Sequence, residues 1–184
     1  ALNNCVNAQL SNILISDFST GSKLSQSGNS FLSNVGITSH ADNAVGFNIG
    51  NHSVSSVLND CFASFYDNTK NNVGYYSNDG NIADITLNHF ESSNCTIGVS
   101  IDGANTIGEF APADIILNRI IIDNSKTTSI KISNFNNKGD LIISNCWLNP
   151  AHLTNSSCVS LTDCNNVTFT SNVLQSFNIE APLA

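Results

Sequence analysis

Ile85-Thr86-Leu87-Asn88-His89-Phe90 is followed thirty residues later by Ile115-Ile116-Leu117-Asn118-Arg119-Ile120. Each is a short, mostly apolar strand closed by Asn, then one charged or polar residue and one apolar residue. Alternation with period two is the mark of a strand with one face buried and one wet. Working outward, the same unit recurs at Gln9 to Ile15, Phe31 to Ile37, Val57 to Phe62, Ile142 to Trp147 and Thr168 to Leu174. The marker residues are Asn12, Asn34, Asn59, Asn88, Asn118, Asn145 and Asn172, spaced by 22, 25, 29, 30, 27 and 27 residues.

A second strand falls midway between markers: Val45-Gly46-Phe47-Asn48-Ile49, Val73-Gly74-Tyr75-Tyr76, Ile97-Gly98-Val99-Ser100-Ile101, Ile130-Lys131-Ile132 and Val159-Ser160-Leu161. Corners rich in Asn and Gly separate the strands, as at Ser77 to Gly80 and Asp102 to Asn105. One such unit cannot bury its apolar face alone, whereas stacked copies can, which is the logic of a solenoid. Hexapeptide helices need a regular period of about 18 residues, and leucine-rich repeats need a Leu/Asn frame that is absent. The expected fold is therefore all-β, a right-handed parallel β-helix of about seven coils of 22–30 residues. An antiparallel sandwich with Asn-rich turns is the alternative; it explains the alternation but not the spacing. Asn at each strand end suits a left-handed corner and a ladder of stacked amides. This register places Asn34, Asn59, Asn88, Asn118, Asn145 and Asn172 at one corner, and points Phe90, Ile120, Trp147 and Leu174 into the bore.

The composition agrees. The 184 residues include 30 Asn and 26 Ser but only 11% charged residues, against an average of about 25%. That length suits a single domain, residues 1–184, and the absence of an initiator Met reads as a piece of a longer chain. A net charge of −8 leaves no basic patch for nucleic acid, and no apolar run is long enough to insert in a membrane. The six cysteines show no CxxC pair or metal spacing, and Cys61 and Cys146 sit in apolar alternation, so they read as reduced core residues. No phosphate loop, zinc motif or Ser-His-Asp frame occurs, so no cofactor and no metal is expected.

The segments Asn94 to Gly103 and Asp114 to Asn124 resemble coils of the pectin-lyase-like superfamily. The loose coil length and Asn/Ser richness are similar to those of β-helical bacteriophage tailspikes and tail-fibre depolymerases. That resemblance implies a homotrimer on a virion that binds, and in many cases cleaves, a bacterial surface polysaccharide such as capsule or lipopolysaccharide. The other class of function is a purely structural shaft or adhesin module.

Candidate site residues follow from stacking, which brings equivalent positions about 4.8 Å apart. The outward stripe of the midway strand is Asn48, Tyr76, Ser100 and Lys131, the face that holds the carbohydrate groove in the resembled superfamily. Tyr76 offers a ring to a sugar, and the amides and hydroxyls offer hydrogen bonds. Glycoside hydrolysis needs two carboxyl groups; Asp102 at a strand end and Glu109 in the following loop are the expected pair, with Glu91, Asp123 and Asp114 as alternatives. The residues after the markers include Asp60, His89 and Arg119, an acid–imidazole–guanidinium row on adjacent coils. It reads as either a glycan contact or a surface ion-pair ladder.

Overall fold

The computed structural model describes residues 2–3, 5–25, 28–50, 54–67, 70–77, 83–103, 114–135, 139–151 and 155–175. Among these residues every regular element is a strand. In chain order they are β1 (Leu2–Asn3), β2 (Gln9–Ser16), β3 (Thr20–Ser25), β4 (Gly28–Ser39), β5 (Val45–Gly50) and β6 (Val54–Phe65). Then come β7 (Val73–Ser77), β8 (Ala83–Ser93), β9 (Ile97–Asp102), β10 (Ile115–Asn118), β11 (Ile121–Ser125) and β12 (Thr128–Phe135). The chain continues through β13 (Leu141–Ser144), β14 (Trp147–Pro150), β15 (Ser157–Cys164), β16 (Val167–Thr170) and β17 (Val173–Leu174).

All the pairings are parallel, and they make two ladders. The first sheet is seven-stranded, in the order β1-β3-β5-β7-β9-β12-β15. The second stacks β2, β4, β6 and β8, after which each long strand is replaced by two short ones, β10 with β11, then β13 with β14, then β16 with β17. A chain that alternates between two parallel ladders, pairing each strand only with its counterparts one turn away, is a parallel β-helix. It has about five full turns with thinner ends, so the expected coil count is slightly high.

The bore is filled by columns of like residues. Leu32, Leu58, Leu87, Leu117 and Ile143 are in register and fully buried. Phe90 packs edge-to-face against Phe47 and Tyr75 of the opposite sheet, with ring centroids 5.7 and 6.4 Å apart. Gly46, Gly74 and Gly98 of the midway strands are there for closeness: a Cβ on Gly74 would run into Ser92 Oγ and stand 2.5 Å from the Gly98 carbonyl oxygen.

The long strands of the second sheet bend at one residue per turn. Asn12, Asn34, Asp60, His89, Arg119, Asn145 and Ser171 all have φ between 53° and 56°. Beside this bend runs the amide ladder: Asn88 donates to Asn59 at 2.6 Å, Asn118 to Asn88 at 2.9 Å and Asn145 to Asn118 at 2.9 Å. The markers thus occupy three adjacent columns rather than one, and Asn172, expected at the shared corner, sits one place beyond the bend at Ser171. Asn59, Asn88 and Asn118 are in line with Ser33 and Ser144, while Asn34 and Asn145 take the bend itself.

That one-residue difference corrects the expected orientation of Trp147. Phe90 and Ile120 are buried as expected, but Cys146 fills the next place in their column and Trp147 turns outward, half-buried. Leu174 pairs with the buried Leu148 but is 48% exposed, because it belongs to the last turn among the described residues.

Candidate functional site

The bend sorts the outward side chains of the second sheet into a grid. The first column is the bend, where Asp60, His89 and Arg119 succeed one another as the sequence leads one to expect. His89 Nδ1 donates to Asp60 Oδ1 at 2.7 Å. The two neighbouring bend residues are Asn34 and Asn145, not Val35 and Cys146, both of which are buried.

The second column, two residues further on, carries Leu14, Gly36, Phe62, Glu91, Ile121, Trp147 and Val173 in continuous register. A Cβ on Gly36 would collide with the Phe62 ring, so that ring covers the backbone of the preceding turn at Gly36. Glu91 is exposed, with Phe62 on one side and Ile121 on the other. The third column is polar, with Thr38, Ser64, Ser93, Asp123 and Asn149. Ser93 Oγ donates to Ser64 Oγ at 2.9 Å, and Asn149 Nδ2 donates to Asp123 Oδ1 at 2.8 Å. A shallow groove of about 300 Å³ between these columns is lined by Phe62, Ser64, Glu91 and Ser93.

Chemically this face combines an apolar stripe with aromatic members, hydroxyls and amides beside it, and carboxylates at its centre. Glu91 and Asp123 stand on adjacent strands two residues out of register, a diagonal of roughly 7–8 Å between backbone positions.

The sequence-predicted face lies on the first sheet. Asn48, Tyr76, Ser100 and Lys131 do form one outward column, with Lys23 before and Ser160 after them. Asp102 is two residues beyond Ser100, in register with Ser133, and its Oδ1 accepts from Asn134 Nδ2 at 2.8 Å. Glu109 lies outside the described residues, as does most of its loop. Of the alternative carboxylates, Asp114 belongs to a different corner, where its Oδ1 accepts from the Asp140 amide at 2.9 Å. Phe62 and Trp147 are the site residues that sequence reasoning did not pick out. The signal that finds them is the left-handed bend: counting two residues from it gives Phe62, Glu91, Ile121 and Trp147 in turn.

Five of the six cysteines, Cys61 to Cys164, contribute no nucleophile. Cys61, Cys95, Cys146 and Cys158 are buried, and burial pushes the Cys95 thiol up to about 11 and raises Cys61, Cys146, Cys158 and Cys164 as well. The reactive species is the thiolate, which a raised thiol does not supply near neutrality. Among the described residues no three His, Cys, Asp or Glu side chains converge as they would for a metal ion.

No protein-family model matches the chain, and no curated protein matches it. Among solved structures it aligns with the catalytic domain of a GH87 alpha-1,3-glucanase in complex with nigerose, at 15% identity and a TM-score of 0.38. The alignment covers 96% of this chain and 50% of that one, so the chain spans half of that domain's length.

Proposed function

We propose that this chain is a glycan-binding module of a bacteriophage tailspike or tail fibre, and that bacterial surface polysaccharide lies against the outward face of its second sheet. The observation that carries this reading is the Phe62–Glu91–Ile121–Trp147 column with its polar neighbour. Sugar rings have one apolar face and a polar rim, and the two columns offer both at the spacing of the turns. The low surface charge supports the setting, since ordered amides and hydroxyls hydrogen-bond a polysaccharide without calling for ionic contacts.

At the centre of the face, Glu91 and Asp123 are the pair that cleaves the glycan by hydrolysis. One protonates the leaving oxygen while the other activates water. Inverting enzymes hold their two carboxyl groups roughly 6.5–9.5 Å apart to leave room for that water, and a pair on adjacent strands two residues out of register is the arrangement proposed to meet that need. The Asn48–Tyr76–Ser100–Lys131 column and Asp102 are the second surface for glycan contact, and Glu109 the partner for Asp102 if cleavage occurs there.

The shaft reading has one observation in its favour. Phe31, Val57, Thr86, Ile116 and Ile142 form an uncharged outward column on the other half of the second sheet, suited to lateral packing of identical chains in a homotrimer. Incubation with an array of purified capsular and lipopolysaccharide O-chain glycans separates the two. The proposal predicts capture of at least one glycan, with release of reducing ends that Glu91→Gln and Asp123→Asn each abolish while capture persists. Release that survives both substitutions removes the pair from the reaction, and no capture favours the shaft.

A further inference from the structure

Three successive turns place Asp17, His40 and Tyr66 at the corner just past β2, β4 and β6. The His40 and Tyr66 rings are stacked at 3.6 Å between centroids and within 3° of parallel. His40 Nδ1 donates to Asp17 Oδ1 at 2.7 Å, which holds the Asp17 carboxyl below its usual range. Lys70 Nζ donates to the His40 carbonyl at 2.6 Å and pairs with Asp42 Oδ1 at 3.1 Å. The stack is therefore fixed through both the ring and the backbone of His40.

Tyr66 nevertheless remains 63% exposed. With one ring face covered by imidazole, that exposure belongs to its other face and its edge. Fastening the corner needs only the His40–Asp17 bond and the backbone bond from Tyr66 N to the Ser39 carbonyl. It does not need an aromatic face turned to solvent. An exposed ring that is already immobilised binds a partner with little further loss of rotamer freedom.

The position of the ring says what it meets. Tyr66 is four residues beyond Phe62, about 13 Å along the strand direction, and so lies well to the side of the Phe62–Trp147 column that runs along the solenoid axis. The groove lined by Phe62, Ser64, Glu91 and Ser93 occupies the ground beside that segment. A linear chain following the column does not reach Tyr66, whereas a short branch leaving it near Phe62 does. We infer that Tyr66, clamped on His40, is a second sugar platform, and that the polysaccharide bound by this protein is branched. This inference rests on the glycan reading of the second sheet.

The test uses pairs of bacterial polysaccharides that share one backbone, with and without side branches, titrated against the full chain. The wild type is expected to bind the branched member about tenfold more tightly. Tyr66→Ala should remove that advantage and leave affinity for the linear member unchanged, while Tyr66→Phe, which keeps the stack, retains it. Thermal melts confirm that each variant is folded. An undiminished branch preference in Tyr66→Ala overturns the second platform, as does an equal loss against both members. Wild-type protein that binds neither member of any pair marks the failure of the glycan reading itself.

Discussion

At single residues, small backbone facts decide large differences in environment. Phe90 and Trp147 each follow an Asn by two positions, yet Phe90 is sealed in the bore and Trp147 faces out. Phe90→Ala should therefore cost about 3–5 kcal/mol of stability, as a large-to-small change in a packed core. Trp147→Ala should cost no more than about 1 kcal/mol, within reach of urea titration of both variants. His89 shows the other kind of constraint, because its φ of 53° is one that a β-branched side chain avoids. His89→Val should be destabilising by about 1–2 kcal/mol, and His89→Asn close to neutral. Asp17 gives a pH dependence with a definite sign. Its folded pKa is lowered from 3.8 by the His40 hydrogen bond, so its contribution is full above that value and lost as pH falls through the folded one. Melting temperatures between pH 5 and pH 2 should fall less steeply for Asp17→Asn than for the wild type.

The elements owe their order to ladders that no single strand shows. Asn88 donates to Asn59 and accepts from Asn118, so Asn88→Ala breaks two bonds at once. Net values of about 0.5–1.5 kcal/mol per hydrogen bond make the expected loss about 1–3 kcal/mol, to be checked by denaturant unfolding. The period of these elements was legible in the sequence, because each turn repeats an alternating strand and an Asn. The register at the sixth marker was not. Asn is favoured both in the amide ladder and in the left-handed bend, so Asn145 looks like the counterpart of Asn118 while Ser144 fills that role. A slip of one residue exchanges the two faces of a strand, so counting Asn145 as a ladder residue points Trp147 into the bore and hides its column. The Asp60–His89–Arg119 row was legible because those three residues follow markers in correct register.

For the whole molecule, stacking converts scattered residues into surfaces. Phe62, Glu91, Ile121 and Trp147 are separated by up to 85 positions in the chain and become a single stripe. Their juxtaposition depends on loop lengths between turns, which vary from coil to coil, and no local motif announces it. In the first-sheet column Asn48, Tyr76 and Ser100 are legible because the Val-Gly and Ile-Gly openings of their strands keep the count, and Lys131 by its Ile-Lys-Ile alternation. The molecule carries one tryptophan, and it stands on the proposed glycan face. Emission from Trp147 during titration with a polysaccharide captured from the array therefore tests the central claim directly. Binding along the second sheet predicts a saturable change in that emission, with a midpoint equal to the independently measured affinity. Tight capture of the glycan with Trp147 emission unchanged and no less accessible to an aqueous quencher than in the free protein would contradict it.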